Sequence, residues 1–156
     1  MSLNGGLHVS GQNIIFLPTT TITTALTALT STPVTRLAGM NSLTVEFIFT
    51  YGSGGTTTDV YVQTTLNGGL TWFDVMNFHA TTASSKVLMS VNAYLQTATV
   101  ATSVVTTAVQ ITPTDGSLTA NTSVQGILGS QVRIKYTTTG TYATSTTLAV
   151  YGNVSE

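Results

Sequence analysis

The sequence predicts an all-β fold, an antiparallel, jelly-roll-like β-sandwich of about eight strands with an extended N-terminal arm. Three observations carry this expectation. Apolar and polar residues alternate at period two in one run after another, the signature of a half-buried strand. Gly, Asn, Asp and Pro turn signals separate those runs at short intervals. Threonine makes up roughly a fifth of the chain, and its β-branched shape suits a pleated sheet while its hydroxyl stays polar.

Residues 1–11, with Gly5-Gly6, read as a flexible arm, and residues 12–156 as a single domain, long enough to bury a core without a metal or disulfide staple. In "TTTITTALTALTSTPVTRLAGM", Ile22, Leu26 and Leu29 have helical spacing, yet Thr is a poor helix former. An extended segment or edge strand is expected there, with a short helix as the alternative. "LTVEFIFT" sets Leu43, Val45, Phe47 and Phe49 against Thr44, Glu46, Ile48 and Thr50. "DVYVQTT" opposes Val60 and Val62 to Tyr61 and Gln63, and after "LNGG" comes the strand-like "LTWFDVMNFHA". Asn67-Gly68 between two such runs is the strongest short-range hairpin signal, so residues 43–79 are expected to form a three-stranded meander. Val87, Met89 and Val91 continue the alternation, "SVVTTAVQITP" is a β-branched run stopped by Pro113, and "TPTDGSL" is a turn. "SQVRIKYTTTGTYATSTTLAVYGNV" reads as a closing hairpin, with Val132, Ile134 and Tyr136 on one face, Arg133 and Lys135 on the other, and Leu148 and Val150 as partners.

Composition excludes much. Charged residues are 6% of the chain with a formal net charge of -1, against about 25% in ordinary soluble domains. Four basic residues neutralise few phosphates, which argues against direct nucleic-acid binding. The absence of cysteine removes thiolate metal sites and cysteine nucleophiles. "MSLNGGLHVSGQNIIFLP" has no basic n-region or long apolar core, so no signal peptide and no membrane partner are expected. A polar surface poor in charge is cheap to desolvate and suits packing against other subunits.

Catalytic constellations are sparse, and no enzyme, cofactor or metal is expected. Glycosidase chemistry needs two facing carboxylates; Glu46 and Asp59 are the candidates if they meet across neighbouring strands, but outward strand carboxylates are usually solvated. No Gly-x-Ser-x-Gly elbow accompanies His8 or His79. Asp74 and His79, five apart on one regular strand, would point to opposite faces. Calcium at "PTDGSL" would have one carboxylate, far short of an oxygen cage.

"TTLNGGLTWFD" resembles the Asp-box hairpin of sialidases, Ser-x-Asp-x-Gly-x-Thr-Trp. Asn67 replaces its Asp, Thr65 stands where its Ser would be, and one copy is present. The stretch is therefore expected to be a structural hairpin, with Asn67, Gly68 and Gly69 making the turn and Trp72 pinning it into the core.

"VEFIFTYGSGGTTTDVYVQTTLNGGLTWFDVMNFHA" and "GILGSQVRIKYTTTGTYATSTTLAVYGNV" together resemble small all-β virion proteins of tailed bacteriophages, most of all capsid decoration, or cement, proteins. The resemblance implies a non-enzymatic structural protein on the virion capsid surface, made in the host cytoplasm. Its partner would be the major capsid protein, which it would clamp as a homo-dimer or homo-trimer. Residues 1–20 and the Thr-rich 19–35 segment would do the reaching, and Leu7, Ile14, Phe16, Arg36, Arg133 and Lys135 are the expected partner contacts. A neck, tail or fibre component and a carbohydrate-binding module are the alternatives.

Overall fold

The computed structural model describes residues 12–93, 112–143 and 145–156. The expected arm at 1–11, with Leu7, and most of "SVVTTAVQITP" lie outside the described residues. Among the described residues eight strands form: β1 (Gln12–Thr21), β2 (Leu26–Thr30), β3 (Ser42–Thr50), β4 (Thr57–Thr65), β5 (Phe73–Ala80), β6 (Ser85–Asn92), β7 (Gln131–Thr139) and β8 (Thr147–Ser155). They make two four-stranded antiparallel sheets, ordered β1-β8-β3-β6 and β2-β7-β4-β5. This interleaving is that of a jelly roll.

Burial explains the layers. Leu43, Val45, Phe47 and Phe49 of β3 are all sealed, as are Val60 and Val62 of β4 and Val132 and Ile134 of β7. Phe47 stacks on Phe78 of the facing sheet with ring centroids 5.3 Å apart, which ties the two layers at the centre of the core. The ambiguous 19–40 stretch is extended, and β2 is an edge strand.

Two pairings differ from the expectation. β3 and β4 lie in different sheets, so there is no three-stranded meander, and Glu46 and Asp59 occupy opposite outer faces. The closing run likewise splits: β7 pairs with β2 and β4, whereas β8 pairs with β1 and β3. The reason for the second is visible at Tyr142, between the two strands. Its ring is buried edge-on against Phe49, and its hydroxyl donates to the Thr57 carbonyl at 2.7 Å. Burying that ring carries the linker over the end of the sandwich instead of back along β7. Among the described strands, β4 and β5 are the one sequential pair that stays in a single sheet.

Ile14 and Phe16 also differ from their expected role. Both point into the core, 6% and 5% exposed, whereas Ile15 between them is 66% exposed. The large apolar side chain that β1 turns outward is therefore Ile15, beside the exposed Asn13.

Two edge strands are blunted and a third is covered. β1 carries Pro18 and two register shifts, and β2 is short and irregular; both features discourage strand addition. Residues 112–126 run along the free edge of β5, donating from Val124 N to Val75 O and accepting from Asn77 N at Thr122 O.

Candidate functional site

Five of the nine charged residues gather on or over the outer face of the β2-β7-β4-β5 sheet: Asp59, Asp74, Asp115, Arg133 and Lys135. Alternation accounts for Asp59 on β4 and for Arg133 and Lys135 on β7, each opposite buried neighbours. Asp74 arrives there through a β-bulge. The pairing steps from Val62↔Met76 to Gln63↔Asp74, so Val75 is the extra residue and Val75 and Met76 are both buried. Asp74 and His79 thus share a face, contrary to the expectation for a regular strand, but each has its own partner. His79 Nδ1 lies 2.8 Å from Asp59 Oδ1.

Asp74 is 3% exposed, and its carboxylate is fully engaged. It accepts from Gln63 Nε2 at 2.8 Å and from the backbone N–H groups of Gly116, Ser117 and Leu118 at 2.8, 3.0 and 3.2 Å. The Asp115-Gly116 turn is therefore an amide nest whose anion is the chain's own Asp74. Gln63, 0% exposed, also donates to Asp115 Oδ1 at 2.7 Å and accepts from Arg133 Nε at 2.9 Å. Lys135 Nζ closes the network on Asp115 Oδ1 at 2.7 Å.

Loop 66–72 sits against this network. Gly68 and Gly69 adopt φ of 71° and 99°, but Asn67 stays out of the left-handed region. Asn67 works through its amide instead: Oδ1 accepts from the Thr65 hydroxyl and Thr71 N, and Nδ2 donates to the Thr71 hydroxyl. Trp72 is not in the core. It is half-buried on the outer face, with Nε1 donating to Gly69 O at 3.0 Å and the Arg133 guanidinium 4.3 Å from the ring centroid. Leu66 and Leu70 project into solvent, 70% and 85% exposed. A cleft of about 310 Å³ opens beside the loop between Leu66, Thr71, Phe73, Pro113, Val124 and Ile127.

Burial raises the Tyr61 phenol pKa, with Asp59 and Asp74 adding to it. The hydrogen bond from Lys135, then that from Gln63, lowers the Asp115 carboxyl pKa below its ordinary value of 3.8. A depressed folded pKa means that the contribution of Asp115 is full above the unfolded value and is lost as pH falls through the folded one. Asp115 is 58% exposed and Lys135 17%, so solvent screening holds the pair to under about 1 kcal/mol. Urea midpoints are accordingly expected to fall slightly more steeply below pH 4 in the natural chain than in Asp115→Asn.

Trp72→Ala is expected to loosen loop 66–72 while leaving the sheets intact, at a cost of about 1–2 kcal/mol. Limited proteolysis checks it: cleavage within the loop should appear with the melting transition still cooperative.

Of the expected contact residues, the fold brings Arg133 and Lys135 together with Trp72. Arg36 is exposed on the 31–41 connection, with φ of 66°. Sequence spacing does not reveal Gln63, Asp74 and Asp115 as a cluster, because their union depends on the bulge and on a turn 41 residues away from Asp74. Among the described residues no group of three or more His, Cys, Asp or Glu side chains is placed to hold a metal ion. Comparison with known proteins finds no matching family model, no similar curated protein and no similar solved structure.

Proposed function

We propose that the protein is a non-enzymatic structural component of a tailed-phage virion that binds the capsid exterior as a decoration protein, with the major capsid protein as its partner. The observation that carries this reading is the loop 66–72 platform. Two leucines are held out in solvent by a Trp–Arg stack and a closed polar network. Apolar side chains presented on a rigid base bind protein surfaces with little ordering cost, and Trp and Arg are enriched at interface hot spots. The low-charge, hydroxyl-rich surface adds area that is cheap to desolvate. A sugar platform, by contrast, needs a bare aromatic face, and one face of Trp72 is already taken by Arg133.

Imaging of the purified particle tests the reading. Density over the capsid at repeated symmetry positions is expected, together with at least a roughly tenfold loss of occupancy in Leu66→Asp/Leu70→Asp. Copies confined to one vertex or to the tail would replace it with a neck, tail or fibre role.

A further inference from the structure

We infer that the outer face of the β1-β8-β3-β6 sheet is a self-association surface on which a second copy of this chain packs face to face, about a two-fold axis running along the strands. Register lines up three rows across this face. The central row is Ile15, Tyr151, Glu46 and Leu88, one residue from each strand. Its two ends are apolar and open to solvent, Ile15 and Leu88 each 66% exposed. On one side lies a polar row in which Asn13 is bonded to Asn153 at 3.1 Å and Thr44 to Ser90 at 2.7 Å. On the other side Ile48 lies between Ala149 and Lys86.

A two-fold axis passing between β8 and β3 sets each row against itself in reverse. Ile15 then meets Leu88 of the second copy, and the Tyr151 hydroxyl meets Glu46 of the second copy. The polar row meets its own polar row, and Ile48 faces the strip over Ala149, which is 3% exposed and adds no contact of its own. No like charges stand directly opposite one another: each Glu46 is offset from its mate by about one strand spacing, about 4.8 Å, and keeps its own Lys86 at 2.9 Å. The other in-plane axis, across the strands, would place Glu46 directly on Glu46, which costs several kcal/mol in a closed interface. A hollow of about 400 Å³ between Ile15, Glu46 and Tyr151 is where Leu88 of the second copy would seat. Four strands about 4.8 Å apart and nine residues long at about 3.3 Å each give roughly 570 Å² per copy. The total of roughly 1,100 Å² clears the floor of about 1,000 Å² for a biological interface and sits at the low end of the size range. The sheets would cross at the angle of about 30° usual for aligned packing.

The inference goes beyond the capsid reading and does not need it, since self-association is read in solution and capsid binding on particles. Analytical ultracentrifugation of the full chain is expected to show a dimer at micromolar concentration. Leu88→Glu should raise its dissociation constant roughly 100-fold with an unchanged melting midpoint at dilutions where both proteins are monomeric, while Leu70→Glu, on the loop, should leave the dissociation constant unchanged. The chain has no cysteine, so Ile15→Cys/Leu88→Cys supplies an unambiguous link. Within one chain these positions are three strand spacings apart, about 14 Å, whereas facing sheets pack about 10 Å apart; both exceed the roughly 7 Å between Cα atoms that a disulfide needs, so the link is made with a short bismaleimide whose reach stays below about 14 Å. A covalent dimer on treatment with the short bismaleimide supports the two-fold arrangement. A monomer at about 100 µM, a trimer, a dimer indifferent to Leu88→Glu, or a dimer that the cysteine pair does not link would each overturn it.

Discussion

Asp74→Ala is expected to cost about 3–5 kcal/mol, a large share of the stability of a domain this size. The carboxylate is buried and accepts from Gln63 and from three consecutive amides. Removing it leaves those donors without their acceptor in a place that water reaches poorly, and each unsatisfied group costs about 1–3 kcal/mol. It also frees residues 114–118 from the outer face, because Asp74 is their main anchor to β5. Gln63 would lose one of its two acceptors, and through it the position of Arg133 under Trp72 would relax. Asp74→Asn separates charge from shape: it can keep one oxygen toward the nest but turns a donor toward a donor, so about half the loss is expected. Urea denaturation gives the energies, and hydrogen exchange at Gly116, Ser117 and Leu118 shows whether the nest opens. A loss under about 1 kcal/mol in Asp74→Ala would mean that the turn holds itself without the carboxylate.

Much of the sheet structure is legible from alternation alone. β3, β4 and β7 announce their buried faces residue by residue, because a strand with one face on the core must repeat at period two. Asn67-Gly68 likewise marks the one sequential pair within a sheet among the described strands. Partner choice is not legible in the same way. A jelly roll sends nearly every strand to the opposite sheet from its predecessor, and nothing in the "YGSGG" or "TTTGTYATST" linkers themselves distinguishes a crossing from a tight turn. Tyr142 is the residue that decides one of them, and its burial depends on Phe49, far away in sequence. The polar cluster was hidden for a related reason. A single bulge at Val75 reverses the facing of Asp74, and no local pattern in "WFDVMNFH" marks it. A large aromatic after a tight turn usually anchors in the core, but the cation beside Trp72, Arg133, comes from β7 and is visible only once β7 lies next to β4.

Gly129→Ala is the second large effect, about 3 kcal/mol or more. Gly129 stands just before β7, where the chain passes hard against the end of β4. A Cβ there would lie 1.9 Å from the Thr65 carbonyl oxygen and 2.7 Å from its carbon. Both are backbone atoms of a sealed strand end, so neither can yield as a side-chain tip would. The approach is fastened by hydrogen bonds: Gly129 N donates to the Thr64 hydroxyl at 2.9 Å, and that hydroxyl donates to Gln131 O at 2.9 Å. Relieving the clash must therefore pull the start of β7 from the end of β4, where their ladder runs Thr64↔Val132 and Thr65↔Gln131. Gly68 offers the contrast, because a Cβ there meets nothing within 4 Å and only φ of 71° opposes it. Gly68→Ala is expected to cost only about 1–2 kcal/mol, the usual left-handed penalty. Thermal melts of the two variants side by side should order them Gly129→Ala far below Gly68→Ala. Equal losses would mean that the strand end gives way easily, and that the Trp72 platform it supports is softer than its hydrogen bonds imply.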